Sequence, residues 1–195
     1  MKISEDVFIN KVDRLCNMLE ISGVILVVFL AFVFQIVFRE LPCPLCLLQR
    51  LGFFGMALGF LLNLRFGFRP SHYAVVILSA VYTSLVALRQ IALHVVPGTG
   101  SYGDPVFGLH LYTWSFIVAM MVLVTTSLIM SVDQQYRYTQ KKSRPVNWIV
   151  NILFATVVLL AVLNVGTILM QCGLKDCPEN PTFTESLLGI VSGSR

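Results

Sequence analysis

The sequence predicts an all-α integral membrane protein, a bundle of about five transmembrane helices. Composition is the first observation behind this: of 195 residues, 56% are hydrophobic and only 12% charged, with a mean hydropathy of +0.80. A soluble domain carries about 25% charged residues. The second is that the apolar residues fall in five long runs almost free of charge, and about 20 apolar residues suffice to cross the hydrocarbon core. The third is that basic residues collect in the segments between alternate runs.

The first run, Ile21–Phe38, has 18 residues and no charge. The second extends from Cys46 to Leu64 and carries Arg50 near its start. It spans only if that arginine lies at the interface or faces the bundle. The third, Ser71–Val96, carries Arg89 near its far end. The fourth, Val106–Val132, and the fifth, within Val146–Leu174, contain no Asp, Glu, Lys or Arg. Ahead of the first run, Val7–Leu19 is expected to form a short amphipathic helix on the membrane surface.

The basic residues orient the bundle. With the N-terminus cytoplasmic, segments 1–20, 65–70 and 133–145 hold Lys2, Lys11, Arg14, Arg65, Arg69, Arg137, Lys141, Lys142 and Arg144, nine of the 14 basic residues. Arg50 and Arg89 lie inside spans, so only Arg39, Lys175 and Arg195 remain outside. The expected arrangement is N-terminus in and C-terminus out. Residues 1–20 form a cytoplasmic segment, 21–132 a four-helix core, 133–145 a basic cytoplasmic loop, 146–170 the fifth span and 171–195 an exported tail. No cleavable signal peptide is evident, because acidic residues mix with basic ones before the first run and no small-residue cleavage site follows it. The net charge of +4 is accounted for by the inner loops, so no nucleic-acid partner is expected.

This topology sorts the five cysteines. Cys43 and Cys46 fall in the first outer loop, Cys172 and Cys177 at the outer end of the fifth span, and Cys16 alone inside. Disulfides persist outside the cytoplasm and rarely within it, so two outer pairs fit redox-active or structural roles. Cys16 reads as a small apolar residue.

The segment Leu41-Pro42-Cys43-Pro44-Leu45-Cys46-Leu47-Leu48-Gln49-Arg50 concentrates the chemistry. Pro42 and Pro44 favour an extended approach, so Cys46 falls in the first helical turn, where free N–H groups and the helix dipole favour a thiolate. Arg50, four residues on, projects from the same face. It can stabilise a Cys46 thiolate or negative charge developing on a quinone oxygen. The lesser alternative is an interfacial anchor snorkelling to lipid phosphate.

This segment resembles the signature of the disulfide-bond-formation protein B (DsbB) family, with Cys-x-x-Cys in the first periplasmic loop and an arginine four residues later. The resemblance covers the first four spans, about residues 18–132. It implies a bacterial inner-membrane thiol oxidoreductase. Such a protein reoxidises a periplasmic DsbA-like thioredoxin-fold protein and passes electrons to ubiquinone or menaquinone. By position, Cys46 becomes the thiol that engages quinone, Cys43 the thiol that exchanges with a second pair, and Arg50 the quinone-site arginine. Arg89, Gln90 and His94 occupy the quinone zone at the outer end of the third span. His94 can donate to a quinone carbonyl, or it can be an interfacial histidine. His110, inside an uncharged run, can assist quinone protonation, whereas Tyr112 and Trp114 suit an outer aromatic belt.

The chain departs from the family in one respect. The second pair is expected between the third and fourth spans, but residues 97–105, Pro-Gly-Thr-Gly-Ser-Tyr-Gly-Asp-Pro, contain no cysteine. Cys172 and Cys177 are expected to replace that pair, exchanging with Cys43, or else to form a local disulfide closing the fifth helix. Two other classes compete. Four outward thiolates can form a four-cysteine zinc site, against which Arg50 places positive charge beside the cation. A structural membrane protein merely stapled by disulfides would reduce no quinone. The three histidines show no metal-ligand spacing, so no metal site is expected among them.

Overall fold

The structure is a computed structural model that describes residues 2–37, 42–95, 105–139 and 148–172. Six helices run through these residues: α1 (Lys2–Val37), α2 (Pro44–Phe66), α3 (Pro70–His94), α4 (Leu111–Met130), the short α5 (Gln134–Thr139) and α6 (Trp148–Cys172). All but α5 are long and apolar enough to cross a membrane. The expected all-α bundle of five spans is therefore the observed architecture.

Local chemistry sets the helix ends. Pro44 opens α2 and Pro70 opens α3 at positions where a missing N–H costs nothing. Gly67 ends α2 with φ 95°, a left-handed backbone that glycine adopts without Cβ strain, and its N–H returns to the Asn63 carbonyl at 3.0 Å. Only three residues, 67–69, then separate α2 from α3, which makes the two helices antiparallel.

Small residues let α2 and α3 approach closely. Gly52, Gly55 and Gly59 of α2 face Thr83, Ser79 and Val76 of α3 in reversed order. A Cβ at any of them would overlap those side chains, and at Gly59 it would also lie 2.8 Å from the His72 carbonyl oxygen. In lipid there is no hydrophobic force between helices, so such close packing supplies much of the association. α2 is the central helix and touches α1, α3, α4 and α6. Phe53, Met56 and Phe60 fill the space between it and Val24, Val28, Val76, Ala80 and Val157. The Arg65 guanidinium, near the end of α2, lies 5.7 Å from the Phe154 ring, near the start of α6. α6 therefore runs antiparallel to α2, and its last turn reaches the end of the bundle where Cys43 lies. Apolar side chains such as Leu26, Leu78, Leu85, Leu128 and Val162 cover the outward faces, as lipid contact requires.

The end opposite Cys43 is closed by buried amides and a phenol. Asn17 Nδ2 donates to the Tyr73 hydroxyl and the Asp13 carbonyl, both at 2.9 Å. Asn63 Nδ2 donates to Asn17 Oδ1 at 3.1 Å. The Tyr73 hydroxyl donates to Gln135 Oε1 at 2.9 Å. These bonds tie α1, α2, α3 and α5 together.

Two expectations are corrected. Val7–Leu19 is not a separate surface helix but the first half of a continuous α1. No breaker interrupts it near residue 20, and Asp13 and Asn17 turn inward and are buried. The fourth span begins at Leu111 rather than Val106. Residues Val106–Leu109 form a tight turn with two backbone hydrogen bonds of 2.9 and 3.1 Å, and Phe107 and Gly108 have φ of 52° and 79°. An uncharged run cannot distinguish such a turn from a helix, although Pro105 and Gly108 are turn residues. The short α5 at the start of the basic segment has no counterpart in the sequence reading.

Candidate functional site

The two thiols are positioned by the start of α2. Cys43 is its N-cap residue, extended at φ −67° and ψ 160°, and its sulfur accepts the Cys46 backbone N–H at 3.1 Å. Cys43 is therefore buried against the helix N-terminus, and Cys46, in the first turn, is half-buried. Both are free thiols in this structure. Proton sharing with Cys46, and then burial, push the Cys43 thiol well above its ordinary range.

α3 closes over both sulfurs through Gln90, which is fully buried. Its Nε2 lies 3.2 Å from Cys43 Sγ and 3.5 Å from Cys46 Sγ, and its Oε1 lies 3.8 Å from Cys46 Sγ. Gln49, one residue before Arg50, donates from Nε2 to Gln90 Oε1 at 2.7 Å.

Arg50 is 7% exposed. Its Nη1 donates to Gln35 Oε1 at 2.8 Å, its Nη2 donates to the Ala31 carbonyl at 3.0 Å, and its guanidinium lies 4.6 Å from the Phe32 ring centroid. The cation is thus fastened to α1, one turn below Cys46. A guanidinium so held is a fixed positive charge rather than a snorkelling anchor.

Next to Gln90 on α3, His94 Nδ1 donates to the Gln90 carbonyl at 2.8 Å. That bond leaves Nε2 as the acceptor nitrogen of the neutral ring, so Nε2 donates only as imidazolium. His94 stacks on Tyr112 at 5.5 Å and 27°, and Tyr112 stacks on His110, the N-cap residue of α4, at 5.3 Å and 15°. The α3 and α4 ends are therefore joined by a three-ring stack. Tyr112, expected in an outer aromatic belt, is 6% exposed at the centre of that stack. Trp114 Nε1 donates to the Val106 carbonyl at 3.0 Å and braces the turn before α4.

The structure brings Cys43, Cys46 and Arg50 together at one end of the bundle and sets both His94 and His110 against Tyr112. Arg89 is exposed; it lies about 100° around α3 from the buried Gln90. The Cys172 side chain and all of Cys177 lie outside the described residues. Among the described residues, no group of three or more His, Cys, Asp or Glu side chains has the arrangement of a metal site. Gln49, Gln35 and Tyr112 are site residues that the sequence reading missed, and it placed Gln90 only by zone. The available signal was their polarity within apolar runs, since an amide in a span needs a partner.

An all-helical membrane protein with a close dithiol at the N-terminus of one span, beside a buried arginine, belongs to the class of membrane-embedded thiol redox proteins. Residues 13–104 match the family model described as disulfide bond formation protein DsbB, and over this segment the chain is similar to that family. The match takes in α1 from residue 13 onward, α2, α3 and the whole thiol–Arg50 segment. It ends before α4, short of the 18–132 that the motif had implied. No curated protein and no solved structure matches the chain. That similarity fits a membrane oxidoreductase of disulfide bond formation.

Proposed function

We propose that the chain is a thiol:quinone oxidoreductase of the bacterial inner membrane. It reoxidises a periplasmic DsbA-like thioredoxin-fold protein and passes the electrons to ubiquinone or menaquinone. The observation that carries this reading is the Cys43–Cys46 dithiol at the start of α2 with Arg50 fixed one turn below it by Gln35 and Ala31. A thiol pair at a membrane edge with a buried cation suits electron delivery to a neutral, lipid-soluble acceptor that gains negative charge as it is reduced.

The residues fit a quinone by their chemistry. Its carbonyl oxygens need donors and its ring needs flat apolar surface. The thiol end offers the Arg50 guanidinium and the stacked rings of His94, Tyr112 and His110. Arg50, His94 and His110 are the residues that would hold it. When bound, quinone supplies an acceptor for two electrons and two protons.

The chain's own residues do the rest. An incoming thiolate attacks Cys43 Sγ of the Cys43–Cys46 disulfide, the sulfur–sulfur bond breaks, and its electron pair leaves on Cys46. Arg50 and the N-terminus of α2 stabilise that charge. His94, with its acceptor Nε2, takes up or returns a proton. The second thiol of the donor then attacks the mixed disulfide, forms the donor's own disulfide and releases Cys43 as a thiol. Re-formation of the Cys43–Cys46 bond from the two thiols gives up two electrons and two protons, for which a bound quinone would be the acceptor, and readies the pair for the next exchange.

The tail pair Cys172–Cys177 serves as the shuttle to the soluble partner, in place of the cysteine-free segment 97–105. The antiparallel run of α6 against α2 supports this, because it ends α6 at the Cys43 end of the bundle. The N-terminus is cytoplasmic and the 171–195 tail is periplasmic.

The test is ubiquinone and menaquinone reduction by the purified protein with a dithiol donor, comparing wild type with Cys43→Ser. The wild type is expected to reduce quinone and the variant to lose at least 100-fold of that rate (~3 kcal/mol of transition-state stabilisation). A wild type that reduces neither quinone ends the oxidase reading.

A further inference from the structure

One side chain contacts both reacting sulfurs, and nothing in the thiol motif assigns it. Gln90 comes from α3, more than 40 residues beyond Cys43–Cys46 (|i−j| of 47 and 44). Its Nε2 reaches Cys43 Sγ at 3.2 Å and Cys46 Sγ at 3.5 Å. Its Oε1 receives the Gln49 Nε2 donor at 2.7 Å and lies 3.8 Å from Cys46 Sγ. Gln90 and Gln49 are 0% and 3% exposed, so water does not compete for these bonds.

We propose that Gln90 is a catalytic residue, the shared hydrogen-bond donor that carries negative charge on whichever sulfur of the pair bears it. This rests on the thiol-oxidase reading above. In the opening step, the incoming thiolate forms a bond to Cys43 Sγ, the Cys43–Cys46 bond breaks, and both its electrons remain on Cys46. The Gln90 amide N–H groups face that sulfur. When Cys46 is a neutral thiol, its S–H can instead point to Gln90 Oε1. One amide thus matches both protonation states of Cys46 without moving.

Gln49 makes the assignment specific. An isolated amide can turn over and present oxygen to the sulfurs, which would repel a thiolate. Gln49 donates to Oε1 and so holds the N–H edge toward Cys43 and Cys46. It is a positioning residue that acts through Gln90. A buried amide that donates to a charged sulfur makes a stronger bond than the same pair in solution.

A purely structural α2–α3 clamp would leave thiol reactivity unchanged, so the readout is chemical. The reduced full-length protein in detergent is treated with iodoacetamide at pH 7, and alkylation is followed at each cysteine by mass spectrometry. Cys16, in the middle of α1 and more than three turns from Ala31 and Gln35 at the site, is the internal standard. Because thiolate is the reactive species, Gln90→Met is expected to lower the Cys46-to-Cys16 rate ratio about tenfold, in keeping with loss of one hydrogen bond to a charged group. Gln49→Met is expected to lower it less, in the same direction. Gln90→Glu keeps the shape of the side chain and replaces the donor edge with a carboxyl oxygen; it is expected to lower the ratio at least as far, and it serves if Gln90→Met does not fold. An unchanged or increased ratio in the folded Gln90 variant overturns the proposal. No quinone or partner enters this measurement. A wild type that reduces no quinone would therefore end the oxidase reading alone, and an unchanged ratio in an active oxidase would end the Gln90 assignment alone.

Discussion

Arg50 makes three contacts at once, with the Gln35 side chain, the Ala31 carbonyl and the Phe32 ring. A lysine keeps the charge but lacks the planar fork that meets the first two and the flat face that covers the third. Arg50→Lys is therefore expected to leave the protein folded and to raise the KM for ubiquinone about tenfold, the effect of losing one charge-assisted hydrogen bond. Steady-state kinetics over a range of quinone concentrations check this, and an unchanged KM would mean that the charge alone matters. At this scale the sequence was partly legible. Cys43, Cys46 and Arg50 announce themselves through spacing within about two helical turns. Gln90 does not, because its partners lie on another helix and no local spacing links them. Tyr112 was read as an interfacial ring because its amphipathic character fits a membrane surface as well as it fits a stack between two histidines.

Helix pairing is decided by side chains that are nearly absent. Gly59 sits where a Cβ would meet Val76 and the His72 carbonyl, whereas Gly166 of α6 has nothing within 4 Å of the same hypothetical atom. Gly59→Leu is expected to lower stability by about 1–3 kcal/mol through overpacking, and Gly166→Leu to change it little. Thermal unfolding of both variants in detergent, followed by loss of helical circular dichroism, separates the two sites. Equal melting temperatures would show that α2 and α3 can separate without cost. The glycines are visible in the sequence at 52, 55 and 59, and their spacing places them along one helix face. Which helix they meet is not visible there. The polar residues Asn17, Asn63, Tyr73 and Gln135 are similar in this respect. Each is a conspicuous polar group near a span end, and only the packed bundle shows that they bond to one another rather than to water or lipid headgroups.

The whole molecule is a bundle with its thiols at one end and its amide and phenol network at the other. α6 packs on α2 and α1 and ends, at Cys172, at the thiol end of the bundle. If the tail is the shuttle, a Cys172→Ser/Cys177→Ser variant should separate two activities. Reduction of quinone by a small dithiol such as dithiothreitol is expected to remain within about twofold of wild type, since Cys43, Cys46 and Arg50 are untouched. Oxidation of a thioredoxin-fold dithiol protein is expected to fall by at least an order of magnitude, the scale of losing one well-placed exchange partner. Loss of both activities would assign the tail pair a structural role, and loss of neither would remove it from the relay.

What the sequence by itself determined is the class of fold, the five spans and the location of the dithiol. Each depends on short-range information: hydrophobic runs long enough for a bilayer, prolines that open helices, and a cysteine pair followed by a cation one turn later. The continuity of α1 through Val7–Leu19, the start of α4 at Leu111 and the closing of α3 over the sulfurs were decided only in the tertiary structure. The physical reason is the same in each case. A polar group inside an apolar bundle is committed by its partner, and the partners of Asn17, Arg50 and Gln90 lie 56, 15 and 44 residues away, on other helices.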